Sequence, residues 1–217
     1  MGVLQKLDIV KGTETLAGGI FEELFPSFMD VPYKKPSDFI SKYWNAYLNI
    51  RSDRTKNAQQ ARGVNGKVFE YIIAALLVRE RIYPIYMNAK VAFVPNINYD
   101  ILLYSTDRGP ICLSAKTSFR ERYKQADLES IAMKYVHRRS LCFLLTLSEA
   151  DAQMVNNKQK IGDVIGLDKA ICATSTDFDE LITYLKEFNL VEAPTLKVIE
   201  SNQVVTHEKV KAIFPKY

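Results

Sequence analysis

The chain has 217 residues, a formal net charge of +4 and an apolar fraction of 47%. That length bounds it to one domain with at most a small appendage, and that apolar fraction excludes intrinsic disorder. The mild basic excess permits a nucleic-acid partner without requiring one, so the placement of the basic residues matters more than their total.

Residues 13–28 carry Ile20, Phe21, Leu24, Phe25 and Phe28 at helical spacing, with Thr13 placed to cap the helix and Pro26 to end or kink it. After the connector Pro32 to Pro36, a second helix starts at Pro36 and Ser37 and carries Phe39, Ile40, Tyr43, Trp44, Tyr47 and Leu48. This aromatic stripe reads as core or dimer packing ahead of base stacking. Residues 51–67 turn polar and basic, with Arg51, Arg54, Asn57, Gln59, Gln60 and Arg62. Arg, Asn and Gln read base edges, and the same composition makes a solvated loop or helix face.

Gly66 to Val78 is apolar nearly all round, which predicts a buried helix, with Glu70 its one acidic residue. A carboxylate there either pairs with an Arg or Lys or stands near a metal. Short strands are expected between Ile82 and Val94, then a turn at 95–98. Tyr99–Tyr104 and Ile111–Lys116 read as two strands of a hairpin, joined by the loop Ser105 to Pro110. The hairpin returns Asp100 to the end that carries Ser114 and Lys116, which share one strand face.

Helix 119–136 follows, with Leu128, Ile131, Ala132 and Tyr135 as its predicted core stripe. Leu141–Leu145 is a very apolar strand, 148–160 a helix, Ala170–Ala173 a strand, and 177–188 a helix capped by Thr176 with Phe178, Leu181, Ile182 and Leu185 inward. The tail, 195–217, predicts a strand and a short helix. The succession is that of an α/β domain with a mixed sheet between helices. The single domain then has a helical part at 1–62, a core at 63–175 and an extension at 176–217.

The 3 cysteines, Cys112, Cys142 and Cys172, lie in apolar runs without metal spacing, and neither of the 2 histidines, His137 and His207, lies near a cysteine pair, which argues against a zinc site. The odd cysteine count predicts reduced thiols in a cytoplasmic protein. The N-terminus has no signal-peptide core, and no apolar run reaches membrane-spanning length.

Asp100 followed after thirteen residues by Ser114-Ala115-Lys116 resembles the PD-(D/E)xK nuclease motif. Two positions depart from it: Tyr99 stands for Pro, and Ser114 for the second acid. A hydroxyl is a poor substitute for a carboxylate at a divalent metal. One branch of the type II restriction endonucleases, the EcoRII/Ecl18kI-like enzymes that read CC and GG steps, carries the same Ser-x-Lys and takes its acid from the next helix. Their motif continues after three residues with Arg-Glu-Arg-aromatic and a later Glu. Here it reads Ser114 to Lys116, then Arg120-Glu121-Arg122-Tyr123, with Glu129 beyond. The resemblance covers residues 66–136, about a third of the chain.

What the resemblance implies is a restriction-endonuclease-like core, Mg2+ as cofactor, and hydrolysis of both strands of a short G·C-containing palindrome to 5′-phosphate and 3′-hydroxyl ends. It implies a homodimer on double-stranded DNA and a companion DNA methyltransferase that makes no direct contact. Asp100 is the expected central metal ligand, Glu129 the transferred acid and Glu70 a further acid, with Lys116 acting on the water and phosphate. On helical neighbours Glu129 borders the apolar face, while its rival Asp127 sits among Lys124, Ser130 and Lys134 in a more solvated setting. Arg120 and Arg122 can each pair with guanine and Glu121 with cytosine, while Lys124, Lys134, Arg138 and Arg139 are expected phosphate contacts. Two other readings stay open on the sequence. One is a nuclease of the same fold acting on junctions or damaged DNA; the other is a DNA-binding protein whose nuclease site is vestigial.

Overall fold

A computed structural model describes the chain except residues 1, 11–14, 25, 95, 120, 121, 195–198, 202 and 217, and the side chains of 199 and 200. The expectations for Thr13, Phe25, Arg120 and Glu121 therefore lie outside the described residues. The N-terminal part is helical: α1 (Val3–Lys6), α2 (Leu16–Leu24), α3 (Pro36–Arg54) and α4 (Ala58–Arg79). Then come β1 (Ile85–Val91), β2 (Tyr99–Ser105), β3 (Gly109–Ala115), α5 (Arg122–Val136), β4 (Leu141–Thr146), α6 (Glu149–Lys160) and β5 (Lys169–Cys172). The chain closes with α7 (Thr176–Leu185), β6 (Ile199–Glu200), β7 (Val204–Val205) and α8 (His207–Ile213).

The strands form one mixed sheet in the order β5-β4-β3-β2-β1-β6, with β7 also paired to β1. β2 runs antiparallel to both β1 and β3, whereas β3, β4 and β5 run parallel. The β2–β3 hairpin turns through three residues, 106–108, and Gly109 takes the left-handed φ of 73° that glycine tolerates. Strand alternation sorts the hairpin's side chains into two layers. Ile101, Leu103, Ile111 and Leu113 join the core under α3 and α4, while Leu102 and Cys112 join the second core under α5 and α6.

The first layer settles the aromatic stripe of α3. Phe39, Tyr43 and Tyr47 are buried, and Trp44 packs 5.3 Å from Tyr47 and 6.1 Å from Phe69 between ring centroids. These rings hold α3 against α4, whose residues 68–78 are all buried. The polar segment after α3 is helical over most of its length. Asn57 caps α4 by accepting from the Gln60 amide at 2.9 Å, and α4 extends eight residues before Gly66.

Four expectations need correction. Leu128 and Tyr135 are not core residues of α5: they are 67% and 86% exposed, and Tyr123, Ala126, Ser130 and Met133 face the sheet instead. Small residues at 126 and 130 let the helix lie close, and the large side chains are turned outward. Asp127 is not solvated but buried, because backbone amides rather than water satisfy its carboxylate. Ser175, not Thr176, occupies the N-cap of α7. Ile85 to Val91 forms one strand rather than several. All three cysteines are free and buried. Among the described residues no helix is long and apolar enough to cross a membrane.

Candidate active site

The β2–β3 register pairs Ile101 with Leu113, so the next step of the ladder sets Asp100 across from Ser114. The Ala115 amide donates to Asp100 Oδ2 at 2.9 Å, and Lys116 Nζ donates to the same oxygen at 2.7 Å. The Lys116 amide continues the ladder to Leu145 O of β4 at 2.9 Å, which fixes where this side chain leaves the sheet. The hairpin therefore brings Asp100 and Lys116 into direct contact. Ser114 does not reach out to them: it is buried, with its Oγ 3.7 Å from Cys112 Sγ.

Two helices on opposite faces deliver two further acids. Glu70 comes from α4 and is only 5% exposed. Its Oε2 accepts from Lys67 Nζ at 2.7 Å, so the ion pair allowed by the sequence exists. Burial pushes the Glu70 pKa up to about 7, helped by the Asp100 charge, against the pull of Lys67 and Lys116. Glu129 comes from α5, which is tied to β2 by the Tyr99 hydroxyl donating to Glu129 O at 2.9 Å. Burial and the Asp100 charge raise its pKa, while a 2.7 Å hydrogen bond from Gln125 and the Lys116 charge oppose them. For Lys116, burial favours the neutral amine, yet the charges of Asp100, Glu70 and Glu129 outweigh it and leave the pKa raised. The fold thus brings Glu70, Asp100, Lys116 and Glu129 within electrostatic reach of one another.

Asp127, the rival acid two residues before Glu129, is used elsewhere. Its Oδ1 accepts from the amides of Ile165, Gly166 and Leu167 at 3.2, 2.7 and 3.2 Å. Three N–H donors stand in for water, which is why a carboxylate can be buried there without a cation.

Among the described residues no three His, Cys, Asp or Glu side chains stand close enough to hold a metal ion by themselves. The donor set nevertheless fits a hard divalent cation. Glu70 and Glu129 are both destabilised as anions by Asp100, a repulsion that a cation between carboxylates relieves. Mg2+ is usually held by one or two carboxylates, with waters and substrate phosphate completing the shell, so a three-acid cage is not required.

Arg122 opens α5 and is exposed, as is Lys124. Arg122 lines a cavity of about 180 Å³ together with Arg62 and Asn65 of α4 and Thr117, Ser118 and Phe119 of the intervening loop. The polar segment and the helix start, read separately in the sequence, thus share one surface. Phe119 anchors that loop: it is fully buried, and its amide donates to Asp151 of α6 at 2.9 Å. Lys134 pairs with Asp168 at 2.8 Å, and Arg138 and Arg139 lie beyond the far end of α5, roughly 20 Å of helix from Arg122. The structure does not gather them at the site.

Sequence reasoning passed over Lys67 and Asn88. Lys67 Nζ also donates to Asn88 Oδ1 at 2.9 Å, and Asn88 holds a left-handed φ of 47° inside β1. The Lys67–Glu70 spacing of one helical turn was the available signal; Asn88 had none.

No protein-family profile matches the chain, and no curated protein matches it. Among solved structures it is similar to the restriction endonuclease PspGI bound to substrate DNA, at 14% identity over 93% of this chain and 90% of that one, with a TM-score of 0.57. It is also similar to metal-depleted Ecl18kI in complex with uncleaved, modified DNA, at 15% identity over 84% and 82% of the two chains, with a TM-score of 0.47. The resemblance first seen in residues 66–136 thus extends in three dimensions over nearly the whole chain: this is a restriction-endonuclease-like α/β fold, a mixed sheet flanked by helices.

Proposed function

We propose that this protein is a magnesium-dependent type II restriction endonuclease. It hydrolyses both strands of double-stranded DNA at a short G·C-containing palindrome and acts as a homodimer. The observation that carries this reading is the 2.7 Å pair of Lys116 with Asp100 at adjoining strand ends, with Glu70 and Glu129 brought in from opposite faces of the sheet. That cluster sits on a fold shared with PspGI, a restriction endonuclease seen with its substrate DNA.

In this reading Asp100 and Glu129 would hold the metal, Glu129 supplying the acid that Ser114 cannot, and Glu70 would complete the shell around them or hold a second metal. Bound Mg2+ contributes Lewis-acid stabilisation of the phosphate and a water that ionises more readily. Lys116 remains cationic despite burial and donates hydrogen bonds to the attacking water and to phosphate oxygens, where negative charge grows in the transition state. Arg122, with Arg120 and Glu121 beside it in sequence, reads the G·C pairs from the start of α5. Lys124, Arg138 and Arg139 meet phosphates, which position the duplex without specifying it. Palindromic reading requires two copies related by a two-fold axis. A companion methyltransferase of the same specificity protects host DNA in the same cytoplasm.

The test is digestion of plasmid DNA with and without Mg2+, with the ends then sequenced. Discrete fragments with 5′-phosphates at one repeated palindrome are the expected result. General degradation, cutting at junctions alone, or no cutting in any divalent metal would each contradict the reading, the last pointing to a vestigial site.

A further inference from the structure

Asn88 has an unusual place in the sheet. β1 pairs with β2 through Met87–Ile101 and Ala89–Tyr99, so Asn88 falls at the step opposite Asp100. It holds a left-handed φ of 47°, which a strand interior normally avoids and which asparagine tolerates better than most side chains. Both strands change face at this step. Ile85 and Met87 join the core under α3 and α4, whereas Ala89 and Val91, at the same parity, join the core under α5 and α6. On β2, Ile101 and Leu103 belong to the first core and Tyr99 to the second. Strict alternation would keep each set on one face. The break leaves Asn88 and Asp100 at one step of the ladder, both half-buried.

The Asn88 carboxamide is engaged at both ends. Its Oδ1 accepts from Lys67 Nζ at 2.9 Å, and its Nδ2 donates to Gln203 Oε1 at 3.4 Å. Gln203 is 4% exposed and itself fixed: its Nε2 donates to Ile9 O at 2.7 Å, and its carbonyl accepts from the Met87 amide at 3.0 Å. With the amide nitrogen turned to Gln203, the oxygen is the end presented to Lys67.

Lys67 is not held by packing. Its side chain is 41% exposed and borders a cavity of about 530 Å³, so a flexible four-carbon stem has room to swing away. Two acceptors hold it instead, Asn88 Oδ1 and, at 2.7 Å, Glu70 Oε2. Glu70 in turn lies within reach of the Asp100 and Lys116 charges.

We propose that Asn88 and Lys67 are positioning residues of this site: Gln203 orients the Asn88 carboxamide, the carboxamide fixes the Lys67 ammonium, and the ammonium sets the Glu70 carboxylate. The proposal rests on the nuclease reading above, in which Glu70 is a working acid. A left-handed backbone alone would be served by glycine, which has the conformation but lacks the acceptor. Without that acceptor Lys67 keeps only an ion pair one helical turn away, and such a pair on a part-exposed side chain contributes little order by itself. Through Gln203, the C-terminal extension also takes part in the site.

The experiment has two arms, both on the full chain. In EDTA, lysine ammonium groups are followed by 15N–1H NMR, with Lys67 identified by the signal that Lys67→Met removes. An ammonium held by two acceptors exchanges slowly with water, so wild type should show this signal and Asn88→Gly should lose it. In Mg2+, single-turnover cleavage at saturating enzyme should slow by about 10- to 100-fold in Asn88→Gly and in Lys67→Met, while duplex binding in Ca2+ stays closely similar. The double variant should be no slower than Lys67→Met, because both changes cut one chain of contacts. Glycine adopts the left-handed φ without strain, so Asn88→Gly should unfold near the wild-type temperature, and Lys67→Met, at a part-exposed position, tests the same chain without touching the strand.

A Lys67 signal missing from wild type or retained in Asn88→Gly would overturn the proposal. So would a wild-type rate in either single variant. A double variant slowed by the product of both losses would show two independent structural contributions and overturn it as well. Weakened duplex binding with an unchanged saturated rate would make the pair a DNA contact instead. If Asn88→Gly loses the signal but wild type cuts no DNA, the positioning of Glu70 stands and the nuclease reading falls, so the two failures are distinguishable.

Discussion

At the residue scale, two neighbouring acids on α5 have opposite assignments and should fail in opposite ways. Glu129→Ala removes a carboxylate that feels Lys116 and Asp100, and it should reduce cleavage by orders of magnitude with little change in stability. Asp127→Ala instead strands the amides of Ile165, Gly166 and Leu167. At roughly 1–3 kcal/mol per unsatisfied buried group, it should cost about 3 kcal/mol of folding stability and leave activity per folded molecule near wild type. Urea unfolding and single-turnover cleavage of both variants make the check; an Asp127 variant that is stable and inactive would reverse the assignment. Glu70 gives a pH prediction. Its folded pKa of about 7 lies above the ordinary 4.5, so the folded state binds the proton more tightly. Its contribution to stability is fully present below about pH 4.5 and is lost as pH rises through about 7. In EDTA, Glu70→Gln should therefore gain stability relative to wild type between pH 5 and pH 8. A variant whose difference from wild type is the same at both pH values would contradict the burial argument.

At the scale of elements, the features legible in the sequence were those set by short-range rules. Alternation along two strands and a Gly-Pro loop were enough to place Asp100 beside Lys116. Periodicity found α5 but oriented it wrongly. It chose the largest apolar residues, Leu128 and Tyr135, as the core face, whereas the helix packs through Ala126, Ser130 and Met133. Close approach to a sheet favours small side chains, and size-weighted hydrophobicity does not register that. The buried Asp127 was illegible for a related reason: its partners are backbone amides forty residues on, and backbone carries no sequence signal. The start of α5 yields a prediction of its own. Arg122 shares a cavity wall with Arg62 and Asn65, a polar surface fit for base edges. A bidentate Arg contact to guanine contributes roughly 1–3 kcal/mol, so Arg122→Ala should weaken cognate binding by about 5- to 150-fold. Scrambled duplex should lose far less, and the salt dependence should hardly change. Equal loss on both duplexes would make Arg122 a phosphate clamp and move base reading to the Arg51–Arg62 segment.

For the whole molecule, the site is a product of assembly rather than of any one segment. The hairpin supplies Asp100 and Lys116, α4 supplies Glu70 from one core layer, and α5 supplies Glu129 from the other. Only the hairpin half was legible as geometry, because it is local. The convergence of the two helices depends on strand order, which a single sequence does not encode in readable form. The central claim, that this convergence is a nuclease centre, is tested most directly through Lys116, where the cluster's charges meet. The measurement is Mg2+-dependent plasmid cleavage by wild type and Lys116→Ala, alongside duplex binding by each in Ca2+. The account predicts site-specific cutting by wild type, none by the variant, and closely similar binding. Cutting by Lys116→Ala at near wild-type rate would contradict it.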